Sequence, residues 1–227
     1  MKILVVGGGG REHAVAWRLA RDTSRPEIFC APGNAGTAAV ACNLPIPADD
    51  IPALLAWARE NRPDLTVVGP EAPLCLGITD AFAANGLRVF GPCQAAARME
   101  GSKRFAKEIM NAAGVPTARA LTFDNAEAAV AALSSFSLPV VIKADGLAAG
   151  KGVVIAQTRD AAADAIRSML VDAVFGAAGA QVLVEEFLEG EEASILALVD
   201  GEHAVLLPPS QDHKRVFNAD QGPNTGG

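Results

Sequence analysis

Short runs of β-branched and other apolar residues punctuate the first hundred positions: KILVV at 2–6, EIFCA at 27–31, LTVVG at 65–69 and RVFG at 88–91. Between them, the stretches 11–22, 51–61 and 73–85 carry apolar residues at helical spacing, so strand and helix alternate. Such alternation requires right-handed crossovers and builds an open parallel sheet. Glycines 7–10 then fall at the carboxyl end of the first strand and just before a helix, where open α/β sheets take their ligands. The pattern changes after Pro92. Residues 99–116, MEGSKRFAKEIMNAAGVP, read as one capped basic helix ended by Gly114 and Pro116, and they open a second domain. A strand at 118–123, a helix at 125–135, strands at 139–143 and 152–156 around a glycine-rich turn, a helix at 159–173 and a strand at 181–186 follow. SILALVD and AVLLPP then form an antiparallel pair across Asp200-Gly201. From Gln211 to Gly227 apolar residues are sparse, and a loop is expected. The expected fold class is α/β, with an open parallel sheet domain over 1–98 and an α+β domain over 99–227.

Half of the 227 residues are hydrophobic, enough for a substantial core. The formal net charge of −7 argues against a nucleic-acid surface, which needs clustered Lys and Arg, and points to small-molecule partners. No apolar run is long enough to span a bilayer, and Met1–Val6 leads into a strand without a cleavage pattern, so no membrane partner and a cytoplasmic location are expected. Cys30, Cys42, Cys75 and Cys93 lack metal-ligand spacing and read as reduced packing residues.

The densest chemistry lies at 139–156, PVVIKADGLAAGKGVVIA. Gly146, Gly150 and Gly152 permit a turn whose N–H groups face an anion, while Lys143 and Lys151 add point charges. A triphosphate suits that arrangement. The Walker A pattern fails, because Asp145 replaces its first glycine and Gly152 stands where Ser or Thr would bind magnesium. Lys143 follows Val140, Val141 and Ile142 to the buried end of a strand, where an ammonium needs an anionic partner. In the first domain, G-x-G-x-x-G fails in every register, with Glu12 or His13 in the third glycine position, and Cys30-Ala31-Pro32 stands where a dinucleotide fold carries its ribose-binding carboxylate. The helix start near Arg11 remains an anion site. The loops 32–38 and 69–74 follow other strands of the same sheet and converge on the same edge, with Glu71 as their carboxylate.

In order along the chain, VVGGGGREHA at 5–14, PGNAGTA at 32–38, VVGPEAPL at 67–74, IKADGLAAGKGV at 142–153, and DHKR with GPNTGG at 212–227 resemble the ATP-grasp ligases, in particular the branch that joins glycine to 5-phosphoribosylamine. The resemblance implies a pre-ATP-grasp domain followed by an incomplete ATP-grasp domain. It also implies a cytoplasmic ligase of purine biosynthesis that consumes ATP, glycine and 5-phosphoribosylamine with Mg2+ or Mn2+ and forms glycinamide ribonucleotide by way of glycyl phosphate. Gly8, Gly9, Gly10, Arg11, Glu12, Gly33, Asn34, Gly36, Thr37, Gly69, Pro70 and Glu71 would bind the phosphoribosyl substrate. Lys103, Lys143, Gly146, Gly150, Lys151 and Gly152 would hold phosphates. The Glu185, Glu186, Phe187 and Leu188 backbone would read adenine, and Glu192, or Glu191 in its place, the ribose. Asp212, Lys214, Arg215, Asn224 and Thr225 would position glycine and its phosphorylated form, ahead of His213 as a general base. The expected metal ligands of the family lie beyond Gly227, so the chain reads as an N-terminal fragment with little ligase activity of its own. Another ATP-grasp carboxylate–amine ligase and a non-catalytic nucleotide-binding module stand as alternatives. The sequence fixes no oligomeric state; a monomer is the expectation for the parent protein.

Overall fold

The computed structural model of the chain describes residues 1–148, 152–211, 215–218 and 221–224. The chain divides into two compact units, Met1–Ile109 and Met110–Gly227. The first is built from β1 (Lys2–Gly7), α1 (Gly10–Ala20), β2 (Glu27–Pro32), β3 (Cys42–Asn43), α2 (Ile51–Asn61), β4 (Leu65–Val68), α3 (Glu71–Cys75), α4 (Ile78–Ala83), β5 (Val89–Phe90) and α5 (Gln94–Gly101). The division falls within α6 (Lys103–Ala112).

The strands of the first unit form one parallel sheet in the order β3-β2-β1-β4-β5. Leu4 and Val6 pack with Leu54, Ala58, Ile78 and Phe82. Ile3 and Val5 pack with Ala16, Ile28 and Cys30. Core lies on both faces of β1, which explains why that strand is continuously apolar instead of alternating. With β2 on one side of β1 and β4 on the other, the direction of winding reverses at β1, and the crevice at its carboxyl end opens there.

Two expected helices are divided. The stretch 73–85 is α3 and α4, separated by Gly77 at φ +88°, a left-handed value that ends one helix and re-aims the next. The stretch 99–116 holds the end of α5 and then α6, because Ser102 leaves the helical conformation and its Oγ accepts the Phe105 N–H at 3.1 Å. The two-residue strand β3 and the start of α5 carry too little periodicity to have been anticipated.

The second unit contains β6 (Ala120–Phe123), α7 (Ala126–Ala132), β7 (Val140–Ala144), β8 (Val153–Ala156), α8 (Arg159–Leu170) and β9 (Val182–Glu186). Its sheet runs β6-β9-β7-β8, antiparallel throughout. Asn125 and Thr158 cap the two helices by accepting the N–H groups of Ala128 and Ala161. One sheet face, Val140, Ile142, Ala144, Val182 and Val184, packs against Ala129, Leu133, Ile166 and Met169. By alternation the opposite face carries Val141, Lys143, Leu183, Glu185, Val153 and Ile155.

Beyond it, β10 (Ala197–Val199) and β11 (Ala204–Leu206) form the expected antiparallel pair, turned about Asp200, whose Oδ1 accepts from the N–H groups of Glu202 and His203. Those hydrogen bonds hold the Asp200 carboxyl below its usual range. The tail corrects the expectation of a loop: β12 (Arg215–Phe217) and β13 (Gln221–Asn224) pair antiparallel. Backbone pairing does not require apolar content, and Val216 and Phe217 stay exposed. Among the described residues no helix is long and apolar enough to cross a membrane.

Gly77→Ala should destabilise the first unit by about 1–2 kcal/mol, since a Cβ there meets only ordinary contacts and the cost is that of the left-handed backbone. Urea unfolding would measure it; an unchanged midpoint would contradict the conformational account of the break.

Candidate functional site

The carboxyl edge of the parallel sheet gathers the three loops. Glu12, in the first turn of α1, is buried; its Oε2 accepts the Gly9 N–H at 2.6 Å. The carboxylate fills the space between the ends of β1 and β4. A Cβ on Gly7 would lie 2.6 Å from Glu12 Cγ, and a Cβ on Gly69 would overlap Oε1. Here glycine is needed for close approach. From the second loop, the Asn34 side-chain amide donates to the carbonyls of Gly8 at 3.0 Å and Gly9 at 3.2 Å. Thr37 is fully buried: its Oγ1 accepts the Asn34 N–H at 2.7 Å and lies 2.8 Å from Asn43 Oδ1, while its N–H donates to Asn34 Oδ1 at 2.9 Å. Arg11 and Glu71 complete the edge as an exposed pair 3.6 Å apart, loose enough for either group to turn to a ligand.

The structure therefore brings Gly8–Glu12, Gly33–Thr37 and Gly69–Glu71 together, with a division of labour that the sequence does not display. Glu12, Asn34 and Thr37 spend side-chain polar atoms on holding the loops; Gly8, Gly9, Gly10 and Arg11 are exposed. Two residues at this edge escaped the sequence reading. Asn43 Nδ2 donates to the Asn34 carbonyl at 2.8 Å, and the His13 ring lies against Gly36 where a Cβ would otherwise stand. Asn43 sits on a strand too short to register. His13 was legible only as a failed glycine position.

In the second unit, Lys143 Nζ lies 2.5 Å from Glu185 Oε2, with the two side chains 29% and 6% exposed. The register pairs Lys143 with Leu183 and Val141 with Glu185, so the two charges are diagonal neighbours on the face opposite the helices. The anionic partner that Lys143 requires is thus supplied by the chain itself. The turn after β7 also differs from expectation at Gly146. Its N–H donates to the Ala178 carbonyl at 3.0 Å, and a Cβ would lie 2.8 Å from Ala178 Cα, so this glycine serves packing instead of facing an anion. Gly152 is buried, its carbonyl accepting the Ala144 N–H at 2.8 Å. At the end of β9 the Glu186 carboxylate accepts the Arg119 N–H at 2.7 Å, which ties that strand to β6. Phe187, Leu188 and Glu192 follow, exposed.

Residues 1–100 match the phosphoribosylglycinamide synthetase N domain, and residues 101–227 match the phosphoribosylglycinamide synthetase ATP-grasp (A) domain. The chain belongs to the phosphoribosylglycinamide synthetase family. It is 53% identical to a phosphoribosylamine–glycine ligase of Salmonella typhimurium and 55% identical to one of Xanthomonas campestris, in each case over all of this chain and 53% of the relative. The crystal structure of phosphoribosylamine–glycine ligase from Thermotoga maritima is 34% identical, with a TM-score of 0.82 over 99% of this chain and 54% of that one. The chain spans about half the length of the curated relatives it matches.

For this member of the phosphoribosylglycinamide synthetase family, Gly150, Lys151, Asp212, Lys214 and Thr225 lie outside the described residues. Arg215 and Asn224 are register partners across β12 and β13. Lys103 opens α6 in the first unit, part-buried. Among the described residues no three His, Cys, Asp or Glu side chains gather where they could hold a metal ion. Burial pushes the Cys30 and Cys75 thiols up, which suits packing residues more than nucleophiles.

The overlap at Gly69 yields a coupling test. Gly69→Ala should destabilise the chain, Glu12→Ala should cost about 1 kcal/mol through its lost cap, and the double variant should be more stable than the sum by about 0.5–3 kcal/mol, because removing Glu12 makes room for the new methyl. Denaturant midpoints of the four chains measure the term; additivity would mean that Glu12 does not fill this space.

Proposed function

We infer that the chain supplies the phosphoribosyl-binding and nucleotide-binding parts of an ATP-dependent ligase that joins glycine to 5-phosphoribosylamine. The single observation that carries the reading is Lys143: a part-buried cation on the face of an antiparallel sheet opposite its helices, beside a glycine-rich turn and next to the strand whose end would read adenine. Apolar Val141, Leu183, Val153 and Ile155 surround the pair and give a base a wall to lie on. At the carboxyl edge of the first sheet, Arg11, the glycine turn and the loops 33–37 and 69–71 suit the phosphate and hydroxyls of a ribosyl phosphate. The identity with phosphoribosylamine–glycine ligases along the whole chain supports the pairing of these two sites with this reaction.

The chemistry then runs in two displacements. The glycine carboxylate attacks the γ-phosphorus of ATP, the bond to the β,γ-bridging oxygen breaks, and ADP leaves glycyl phosphate. The amine of 5-phosphoribosylamine next attacks the glycyl carbonyl, expels inorganic phosphate and loses a proton, giving glycinamide ribonucleotide. Both nucleophiles belong to substrates, so the chain contributes placement and charge. Lys103 and Lys143 hold the phosphates, the Glu185–Leu188 backbone the adenine and Glu192 the ribose. Asp212, Lys214, Arg215, Asn224 and Thr225 orient glycine. Mg2+ or Mn2+ accompanies ATP in this reading, but the described carboxylates form no holder for it. The setting is cytoplasmic purine biosynthesis.

Amide shift mapping on the isotopically labelled chain tests the placement. Glycinamide ribonucleotide should move Gly8–Glu12, Gly33–Thr37 and Gly69–Glu71, and ATP should move 140–156 and 183–188. Glycinamide ribonucleotide shifts confined to residues after 110 would refute the assignment of the first unit, and ATP shifts confined to residues before it would refute that of the second.

A further inference from the structure

Lys143 has an anionic partner within the chain, the Glu185 carboxylate. Glu185 stands on β9, a strand hydrogen-bonded on both sides by β6 and β7, and its side chain is 6% exposed, so its carboxylate cannot follow a ligand. The lysine, on a flexible stem with three donors, can turn between acceptors. We propose that the Glu185 carboxylate is an internal competitor for Lys143: a polyphosphate must share the ammonium with it or take it away, and Glu185 thereby sets how tightly the phosphate end of the nucleotide is held. The inference rests on the reading of this sheet face as the nucleotide site.

Two effects of Glu185 oppose each other. Ordering one long side chain in advance improves affinity by at most about tenfold. Against that, a fixed carboxylate repels an incoming phosphate; like unit charges about 6 Å apart at an effective dielectric constant of ~20 repel with about twice the free energy of the ordering gain, and a polyphosphate carries more than one charge. Mass action points the same way, because an ammonium that already lies against Glu185 gains less from a phosphate than one remote from any carboxylate would. Repulsion wins. The net effect is to keep ADP from binding too tightly to leave, which matters wherever product release limits turnover, as it does in many enzymes.

The test is calorimetric titration of the unsubstituted chain and of Glu185→Gln, which keeps shape and an acceptor oxygen but removes the charge, with ATP, ADP and adenosine at low and high salt. Glu185→Gln should bind ATP and ADP about five- to tenfold tighter and adenosine equally well, and the gain should shrink as salt screens it. The unliganded variant should melt lower and recover more on adding ATP. Equal or weaker ATP binding by Glu185→Gln would overturn the proposal. So would a parallel change in adenosine affinity, since Glu185 would then act through the strand that reads the base. If neither chain binds any of the three ligands, the nucleotide reading itself falls, and this inference with it. Should Glu185→Gln fail to fold, Glu185→Asp, which keeps the charge but lengthens the pair, should tighten ATP binding to a smaller degree; unchanged or weaker binding would count against the proposal equally.

Discussion

A ligand can reach only what the packing of each sheet leaves uncovered. In the first unit core residues fill both faces of β1, so the accessible backbone lies at the carboxyl edge, where the loops after β1, β2 and β4 end. The second unit covers one sheet face with α7 and α8, and Lys143 and Glu185 stand on the other. One unit therefore offers an edge lined by backbone and glycine, suited to a phosphate and hydroxyls. Its counterpart offers a face whose described residues set apolar side chains around Lys143, a surface that suits a base with a polyphosphate.

Both places obey the rule that a polar group withdrawn from water must find a partner. Glu12 meets it by capping α1 and filling the gap beside Gly69; Thr37 meets it through Asn34 and Asn43; Glu185 meets it through Lys143. The buried members of each cluster therefore stiffen the site, while the exposed members, Arg11 and Glu71 in the first unit, retain freedom to meet a ligand. Lys143 is both part-buried and paired, so among the described residues it is the place where the two roles would meet on one side chain.

The strand–helix alternation of the first unit and the antiparallel pairing of β7 with β8 were legible because long apolar runs bounded by glycine carry strong periodicity. The convergence of the three loops followed from the parallel order alone. Less visible were features set by single residues or by tertiary contact. Gly77 divides a helix through one left-handed angle, and Ser102 restarts another by capping it. The pairing of β12 with β13 draws on backbone hydrogen bonds that leave no hydrophobic signature. Lys143 plainly required an anion, but its closest partner lies forty-two positions away on a neighbouring strand, a distance that no local pattern spans.

The central claim is that these two sites serve one ligation, and the most direct measurement follows isotopically labelled glycine. The chain, expressed from its complete reading frame, would be incubated with ATP, magnesium, labelled glycine and freshly generated 5-phosphoribosylamine. The account predicts label in glycinamide ribonucleotide, matched by equal amounts of ADP and phosphate and abolished when either ATP or 5-phosphoribosylamine is omitted. Label that stays in free glycine while ATP is consumed with a different carboxylate would contradict it.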